Sequence, residues 1–235
     1  MAESPKTAFI TGGSRGIGLG VAHALVQIGY RVTITGRDQQ RLADAERSLN
    51  AIRPGSALAL VCDVRSLDAQ VQAVAETLRK FGSIDVLVAN AGLGHFAPID
   101  QLTVAQWQET IDTNLSGVFY SVHAALDALK ASKGYIFTIS SLAGTNFFAA
   151  GGAYNASKFG LTGFTQAIMM DLRKYGIRVA TLMPGSVATD FSGKPAGDEG
   201  WKIQPEDIGQ LIADLLRINP RTLPSKIEIR PSMPK

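Results

Sequence analysis

Residues 7–18 read Thr7-Ala8-Phe9-Ile10-Thr11-Gly12-Gly13-Ser14-Arg15-Gly16-Ile17-Gly18, and this stretch decides the fold. A short apolar run leads into a glycine-rich turn, and the turn opens a helical pattern with Val21, Leu25 and Ile28 on one stripe. Glycines permit a tight turn and let an anion approach the N–H groups at the start of a helix. The spacing Gly-x-x-x-Gly-x-Gly differs from the commoner Gly-x-Gly-x-x-Gly, and glycines can also mark nothing more than a turn. Between a strand and a helix, however, they predict an anion-binding loop.

The alternation of apolar runs and helical patterns continues along the whole chain. Most of the runs are continuously apolar, as expected of parallel strands covered by helices on both faces. The predicted strands are 7–11, 32–35, 58–62, 85–89, 135–140, 178–183 and 226–230, and the predicted helices are 17–28, 39–52, 67–81, 104–129, 154–175 and 206–216. We therefore expect a single domain over residues 1–235, an α/β protein with a Rossmann-like, doubly wound parallel sheet of about seven strands and helices on both faces.

Composition argues against several classes of protein. The 23 basic and 20 acidic residues leave a net charge of +3 without a basic block, so no nucleic-acid partner is expected. No apolar stretch is long enough to cross a bilayer, and the first residues lack a signal-peptide pattern, which predicts no membrane partner and a cytoplasmic location. Cys62 is the single cysteine, and His23, His95 and His123 show no ligand spacing, so no metal is expected.

Gly36 and Arg37 directly follow the second predicted strand. Proteins of this architecture that prefer NAD usually place a carboxylate here for the ribose hydroxyls. Arg37, together with Arg15 of the glycine-rich turn, can instead hold a ribose 2′-phosphate through charge-assisted hydrogen bonds. The pattern favours NADP (NADPH) as the cofactor. NAD remains possible, with Asp38 on the ribose and Arg37 in solvent.

Tyr154 and Lys158 lie four residues apart and hence on one face of a helix. A free tyrosine has a pKa near 10, and a nearby cation would lower it, so the pair predicts acid–base chemistry. Ser141 stands thirteen residues before Tyr154, at the end of the fifth predicted strand, with Ser140 as the competing serine. Asn114 falls inside the fourth helical pattern, where it could equally be an exposed polar residue.

In order and approximate spacing these motifs resemble the short-chain dehydrogenase/reductase (SDR) family across about residues 7 to 190. The motifs are Thr11-Gly-x-x-x-Gly-Ile-Gly18, Asp63-Val64, Asn90-Ala91-Gly92, Asn114, Ser140-Ser141, Tyr154-x-x-x-Lys158 and Pro184-Gly185. The resemblance implies an oxidoreductase that passes a hydride between the nicotinamide and a carbonyl or secondary alcohol. Because Arg15 and Arg37 favour NADP(H), reduction of the carbonyl is the expected direction. The resemblance also implies a homodimer or homotetramer.

By the same resemblance, Asn114, Ser141, Tyr154 and Lys158 form a catalytic tetrad. Ser141 and Tyr154 would bind the carbonyl oxygen, with Tyr154 as proton donor. Lys158 would lower the tyrosine pKa, and Asn114 would position a water. The implied cofactor-binding residues are Gly12, Ser14, Arg15, Gly16, Ile17, Gly18, Arg37, Asp63, Val64, Asn90, Ala91, Gly92, Tyr154, Lys158, Pro184, Gly185, Val187 and Thr189.

Five further residues follow predicted strands and are candidate substrate contacts: His95, Phe96, Leu142, Phe148 and Phe191. Their mostly apolar character predicts an uncharged small-molecule substrate, although each phenylalanine could be ordinary packing. The glycine-rich stretch 191–200 predicts a mobile lid.

Two alternatives stay open. The first is a 3-oxoacyl-carrier-protein reductase, although residues 227–235 differ from the usual ending of those enzymes. The second is a non-enzymatic NADP sensor on the same fold, which would not need Ser141, Tyr154 and Lys158 together.

Overall fold

The computed structural model describes residues 5–192 and 200–233. The central part of the expected lid, residues 193–199, therefore lies outside the described residues. Seven strands form one sheet in the order β3-β2-β1-β4-β5-β6-β7, and every neighbouring pair is parallel. The strands are β1 Thr7–Thr11, β2 Arg31–Gly36, β3 Ala57–Val61, β4 Val86–Ala89, β5 Tyr135–Ile139, β6 Arg178–Pro184 and β7 Lys226–Ile229.

Helices connect these strands and cover both faces of the sheet. They are α1 Gly16–Gln27, α2 Gln39–Ile52, α3 Leu67–Phe81, α4 Val104–Ile111, α5 Gly117–Ser132, α6 Gly152–Leu172 and α7 Pro205–Arg217. Short 3₁₀ turns lie at Leu142–Gly144, Arg173–Tyr175 and Asp190–Ser192. The predicted Rossmann-like doubly wound sheet is confirmed, and each strand begins and ends within one residue of its predicted position.

Strand β1 shows why the sheet is buried on both sides. Its successive side chains point to opposite faces. Ile10 belongs to the apolar cluster that also holds residues of α1, α2 and α7. Phe9 belongs to a second cluster, with residues of α3, α5 and α6. Both side chains are fully buried, which contributes about 1.5–3 kcal/mol each.

The connection reverses direction between β1 and β4, and a crevice opens there at the carboxyl ends of the strands. Two loops are tied together at this point. The hydroxyl Oγ1 of Thr11 accepts hydrogen bonds from the main-chain N–H groups of Asn90 (3.0 Å) and Ala91 (3.1 Å). The Asn90 amide Nδ2 donates back to the main-chain oxygens of Thr11 (2.9 Å) and Gly12 (3.1 Å). The glycine-rich turn is thus held rigidly against the end of β4.

Helices α1 and α7 cross with their main chains almost touching. A Cβ atom at Gly20 would lie 2.5 Å from the main-chain oxygen of Pro205, and one at Gly209 would lie 2.5 Å from the main-chain oxygen of Gly20. Both residues therefore have to be glycine for this crossing. The C-terminal helix braces the helix that follows the anion-binding loop.

The single helix predicted over residues 104–129 is wrong in one respect. A π-helical turn, Asp112–Ser116, separates α4 from α5, and the N–H of Gly117 donates to the oxygen of Asp112, five residues back. Such a turn inserts one residue into the helix and is frequent at functional sites. Here it contains Asn114, whose side chain reaches the loop after β4. An apolar pattern with a helical period does not distinguish the two kinds of turn.

Among the described residues, no helix is both long and apolar enough to cross a membrane.

Candidate active site

A cavity of about 1130 Å³ lies at the carboxyl ends of the strands. It is lined by the loops that follow β1 to β6. Pockets for small ligands usually measure about 300–1,000 Å³, so this one has room for a long ligand together with a second, smaller molecule.

The glycine-rich turn after β1 forms one wall of the cavity, and its shape requires glycine. Gly12 and Gly16 have φ angles of +65° and +53°, a conformation that residues with a Cβ rarely adopt. A Cβ at Gly18 would collide with the main-chain oxygen of Gly12, so Gly18 packs behind the turn and does not line the cavity. Within the described residues no side chain caps α1, and its first N–H groups can therefore bind an anion.

Three arginines line the cavity beyond the end of β2: Arg15, Arg37 and Arg41. Arg37 is exposed, so its guanidinium can reach a phosphate placed there. Asp38 has a structural use, because it caps α2 by accepting a hydrogen bond from the N–H of Arg41 at 3.0 Å. The turn, the free helix end and the cationic rim together fit a dinucleotide with an additional phosphate.

Two residues at this rim were missed by the sequence analysis. The carboxylate of Asp190, after β6, is ion-paired with Arg15 and lies 4.0 Å from Nη1 of Arg41. Arg41 could have been found because it occupies the first turn of the helix that follows Arg37. Asp190 is 175 positions from Arg15, and no local pattern joins them.

The cavity continues along the ends of β3 and β4. Asp63 is held by Arg65, whose Nη2 lies 2.6 Å from Oδ2, and this hydrogen bond lowers the pKa of the Asp63 carboxyl. Val64, Asn90, Ala91 and Gly92 line the same wall. The loop after β6 adds the opposite side with Pro184, Gly185, Val187 and Thr189. Ser14, Gly16 and Ile17 border the cavity from the glycine-rich turn.

Ser141, Tyr154 and Lys158 meet at the inner end of the cavity. Ser141 follows β5, while the other two stand one turn apart on α6. Ser141 forms a side-chain hydrogen bond with Tyr154. The ammonium Nζ of Lys158 lies 5.7 Å from the centre of the Tyr154 ring and donates a hydrogen bond to the main-chain oxygen of Ile139 at 2.9 Å. A proton donor, a hydroxyl partner and a buried cation therefore share one site.

Burial controls the titration of this group. It raises the pKa of Tyr154, and the hydrogen bond from Ser141 acts in the opposite direction. Burial also lowers the pKa of Lys158 to about 8. From the spacing of Tyr154 and Lys158, the sequence predicted a lowered pKa for the tyrosine. That prediction is wrong for this structure, because the desolvation of Tyr154 outweighs the other effects.

Ser140 borders the cavity, whereas Asn114 does not. Ser140 is buried, and its hydroxyl pairs with Oγ1 of Thr162 at 2.9 Å, so the nearby Ser141 is the serine that faces the site. The amide of Asn114 makes three hydrogen bonds: Oδ1 accepts from the N–H of Leu93 (2.8 Å), and Nδ2 donates to the oxygen of Leu93 (2.8 Å) and to Oγ of Ser157 (3.0 Å). Asn114 thus fixes the loop after β4 against α6.

Four of the five candidate substrate residues, Phe96, Leu142, Phe148 and Phe191, border the cavity near Tyr154. His95 does not, because its Nε2 atom is 2.9 Å from Oε2 of Glu109. In the part of the chain that the structure describes, no group of three His, Cys, Asp or Glu side chains is arranged to hold a metal ion.

Comparisons with known proteins agree with this geometry. Residues 6–199 match the family model described as short chain dehydrogenase. An uncharacterised oxidoreductase of Staphylococcus saprophyticus is 33% identical over 227 residues, which is 96% of this chain and 97% of the relative.

Two solved structures are similar over nearly their whole length. An alcohol dehydrogenase of the archaeon Thermococcus sibiricus, complexed with 5-hydroxy-NADP, superposes with a TM-score of 0.92 at 29% identity, covering 99% of this chain and 100% of that one. A metagenomic short-chain oxidoreductase in complex with NADP gives a TM-score of 0.86 at 36% identity, covering 98% and 99%.

Proposed function

The chain belongs to the short-chain dehydrogenase family of oxidoreductases, and on that premise we propose that it is an NADP(H)-dependent enzyme that reduces carbonyl compounds to alcohols. One observation carries the proposal. Ser141, Tyr154 and Lys158 line the same cavity as the glycine-rich turn and the three arginines. A protein that only sensed the dinucleotide would have no use for a buried proton donor beside a buried ammonium.

The cofactor preference rests on charge. Arg15 and Arg37 supply guanidinium groups beyond the end of β2, where a 2′-phosphate would lie. Asp38, the residue that would favour NAD, is engaged as the cap of α2. The two similar solved structures that contain NADP or its 5-hydroxy derivative support the same preference.

Each residue of the catalytic group has its own role. The nicotinamide of bound NADPH would supply the hydride that reduces the carbonyl carbon. Ser141 and Tyr154 hydrogen-bond the carbonyl oxygen and polarise it, and Tyr154 transfers its hydroxyl proton to that oxygen as the alcohol forms. The positive charge of the Lys158 ammonium stabilises the phenolate that Tyr154 becomes when it gives up its proton. Oxidation of an alcohol follows the reverse path.

Asn114 acts as a positioning residue. Its amide ties the loop after β4 to α6 through Leu93 and Ser157, so the wall facing Lys158 keeps its place. We also propose a bound water that returns protons to Lys158. Both N–H groups of the Asn114 amide are already used, so such a water would not accept a hydrogen bond from them.

We also propose a homodimer or homotetramer, formed through α5 and α6. These neighbouring helices expose large apolar side chains: Phe119 is 48% exposed, Phe159 44% and Met170 59%. Exposed apolar patches on helices that face away from the core are typical of subunit contacts. Sedimentation equilibrium measures the oligomeric state, and we expect Phe119→Lys to shift the equilibrium toward the monomer.

The catalytic assignment is tested by Tyr154→Phe. We expect this variant to lose carbonyl reduction by several orders of magnitude while it binds NADPH with nearly wild-type affinity. Tyr175→Phe, outside the cavity, serves as the matched control and should keep full activity. Turnover that survives in Tyr154→Phe would refute the assignment. NADPH binding without turnover on a broad panel of aldehydes and ketones would point to a sensor.

A further inference from the structure

Two phenylalanines pack against the aromatic ring of Tyr154, and a third packs against one of them. The ring centres of Phe96 and Phe191 lie 5.3 Å and 5.7 Å from that of Tyr154, each in an edge-to-face arrangement. Phe148 lies behind Phe96, with ring centres 6.0 Å apart. Such edge and tilted contacts are the arrangements that aromatic rings prefer. The proton donor is therefore set into an aromatic wall that comes from three different loops.

Two glycines make room for this wall. A Cβ at Gly94 would lie 2.6 Å from Cζ of Phe96 and 3.1 Å from Cε1 of Phe191. A Cβ at Gly151 would lie 2.7 Å from Cε2 of Phe148. Neither glycine has a positive φ. The space occupied by the rings requires glycine at position 94, and Oδ1 of Asn155 together with the Phe148 ring requires it at position 151. The rings are thus seated against the main chain.

The three phenylalanine side chains nevertheless remain partly exposed to solvent. Phe96 is 46% exposed, Phe148 47% and Phe191 39%, although all three border a cavity. Apolar area of this size is unfavourable in water and is stabilised when an apolar ligand covers it. An aromatic ligand would gain edge-to-face contacts in addition to the burial.

The charged side chains of the cavity are concentrated elsewhere. Arg15, Arg37, Arg41 and Asp190 gather at the rim beyond β2. Lys158 is buried at the catalytic group, and Lys202, which also borders the cavity, lies 5.7 Å from the centre of the Trp201 ring. Among the described residues, none of these cavity charges contacts the three phenylalanine rings, so an ionised substituent placed against the rings would lose its hydration without a charged partner from this part of the chain.

From this arrangement, and resting on the proposed function, we propose that the substrates are ketones or aldehydes whose larger substituent is an uncharged aromatic ring. The ring lies against Phe96, Phe148 and Phe191 while the carbonyl oxygen meets Tyr154 and Ser141. The carbonyl carbon accepts hydride from NADPH, the oxygen accepts the Tyr154 proton, and an aryl-substituted alcohol leaves.

The test compares matched carbonyl compounds with NADPH and the full-length enzyme. We expect kcat/KM for acetophenone to be at least tenfold higher than kcat/KM for 2-butanone. It should also be several-fold higher than kcat/KM for cyclohexyl methyl ketone. Ethyl benzoylformate should be reduced at least tenfold more efficiently than benzoylformate, which differs by carrying a carboxylate. Equal values across the first set, or a preference for the carboxylate, would overturn the proposal.

Variants locate the preference. Phe96→Leu and Phe191→Leu should lower the ratio of kcat/KM for acetophenone to kcat/KM for 2-butanone at least fivefold, with NADPH affinity unchanged as the sign of an intact fold. The ratio is the readout because both residues also contact the Tyr154 ring, and an effect on Tyr154 is common to both ketones. Gly94→Ala should act like Phe96→Leu, because the added methyl displaces that ring. Tyr175→Leu, a change to a partly exposed aromatic outside the cavity, should affect neither ketone. Equal losses on both ketones would contradict the aromatic contact.

The two proposals fail differently. If 2-butanone is reduced with NADPH and no aryl preference appears, the proposed function stands and the aryl proposal falls. If no carbonyl compound is turned over while NADPH binds, both fall.

Discussion

Lys158 donates a hydrogen bond from Nζ to the main-chain oxygen of Ile139, 2.9 Å away, at a position where only 4% of the residue is exposed. Burial lowers the pKa of this lysine from 10.5 to about 8. Below pH 8 both the folded and the unfolded chain carry the proton, and the folded chain bears the full cost of the buried charge. Between pH 8 and 10.5 only the unfolded chain keeps the proton, so this lysine makes stability rise with pH in that window.

We therefore predict that the wild type gains about 2 kcal/mol in unfolding free energy relative to Lys158→Met between pH 7.5 and 10. Urea unfolding of the two proteins at both pH values measures the difference, and the other titrating groups cancel in the comparison. An unchanged difference would show that the ammonium is not buried as described.

The rim of the cavity predicts the response to cofactor phosphates. In the proposed NADPH complex Arg37 would donate a charge-assisted hydrogen bond to the 2′-phosphate, so Arg37→Ala should weaken NADPH binding about tenfold or more and leave NADH within about twofold. Arg47→Ala removes the same charge from a pair with Asp44 outside the cavity, and serves as the control. Fluorescence titration at fixed ionic strength is the measurement.

Asp190 should have the opposite effect. Its carboxylate pairs with Arg15, where it would compete with the 2′-phosphate for the guanidinium. Because the pair is partly exposed, we predict that Asp190→Asn strengthens NADPH binding only about two- to fivefold, with NADH unaffected. A weaker affinity for NADPH would mean that Asp190 holds Arg15 in the position it needs for binding.

Two adjacent glycines at the start of α6 should respond differently to the same substitution. A Cβ at Gly152 meets only Cδ2 of Leu102, at 4.0 Å, so Gly152→Ala should raise the unfolding free energy by about 0.4–1 kcal/mol. A Cβ at Gly151 would collide with Oδ1 of Asn155 and with the Phe148 ring, so Gly151→Ala should lower the unfolding free energy by about 1–3 kcal/mol. Thermal unfolding in parallel compares them, and similar shifts would contradict the close packing at Gly151.

Cys62 should be inert toward alkylation in the folded protein. Burial, with a smaller contribution from the Asp63 carboxylate, raises the pKa of its thiol to about 11. The reactive thiolate is then a minor species at pH 8, and we predict labelling by iodoacetamide at least about tenfold slower than in urea. Rapid labelling of the folded enzyme would place the thiol in solvent.

The sequence was most informative where the pattern is local. The apolar runs identified all seven strands, and the Tyr154–Lys158 spacing identified a helix face. Contacts between distant segments could not be predicted. Asp190 comes close to Arg15 only when the sheet has formed. The packing of the phenylalanine rings against Gly94 and Gly151 depends on loops that follow different strands. The direction of the Tyr154 pKa also depended on burial, which spacing does not specify.

The crossing of α1 and α7 has a consequence for how the protein is made. The helix that carries the dinucleotide loop leaves the ribosome early, but one of its sides has no partner until residues 205–217 have been synthesised. In a nascent chain stalled before that point, the surface of α1 around Gly20 and Ala24, which meets Pro205 and Gly209 in the folded protein, has nothing packed on it. Dinucleotide binding should thus be acquired late in translation, and chaperones would meet the N-terminal half of the chain while it is still unable to hold its ligand.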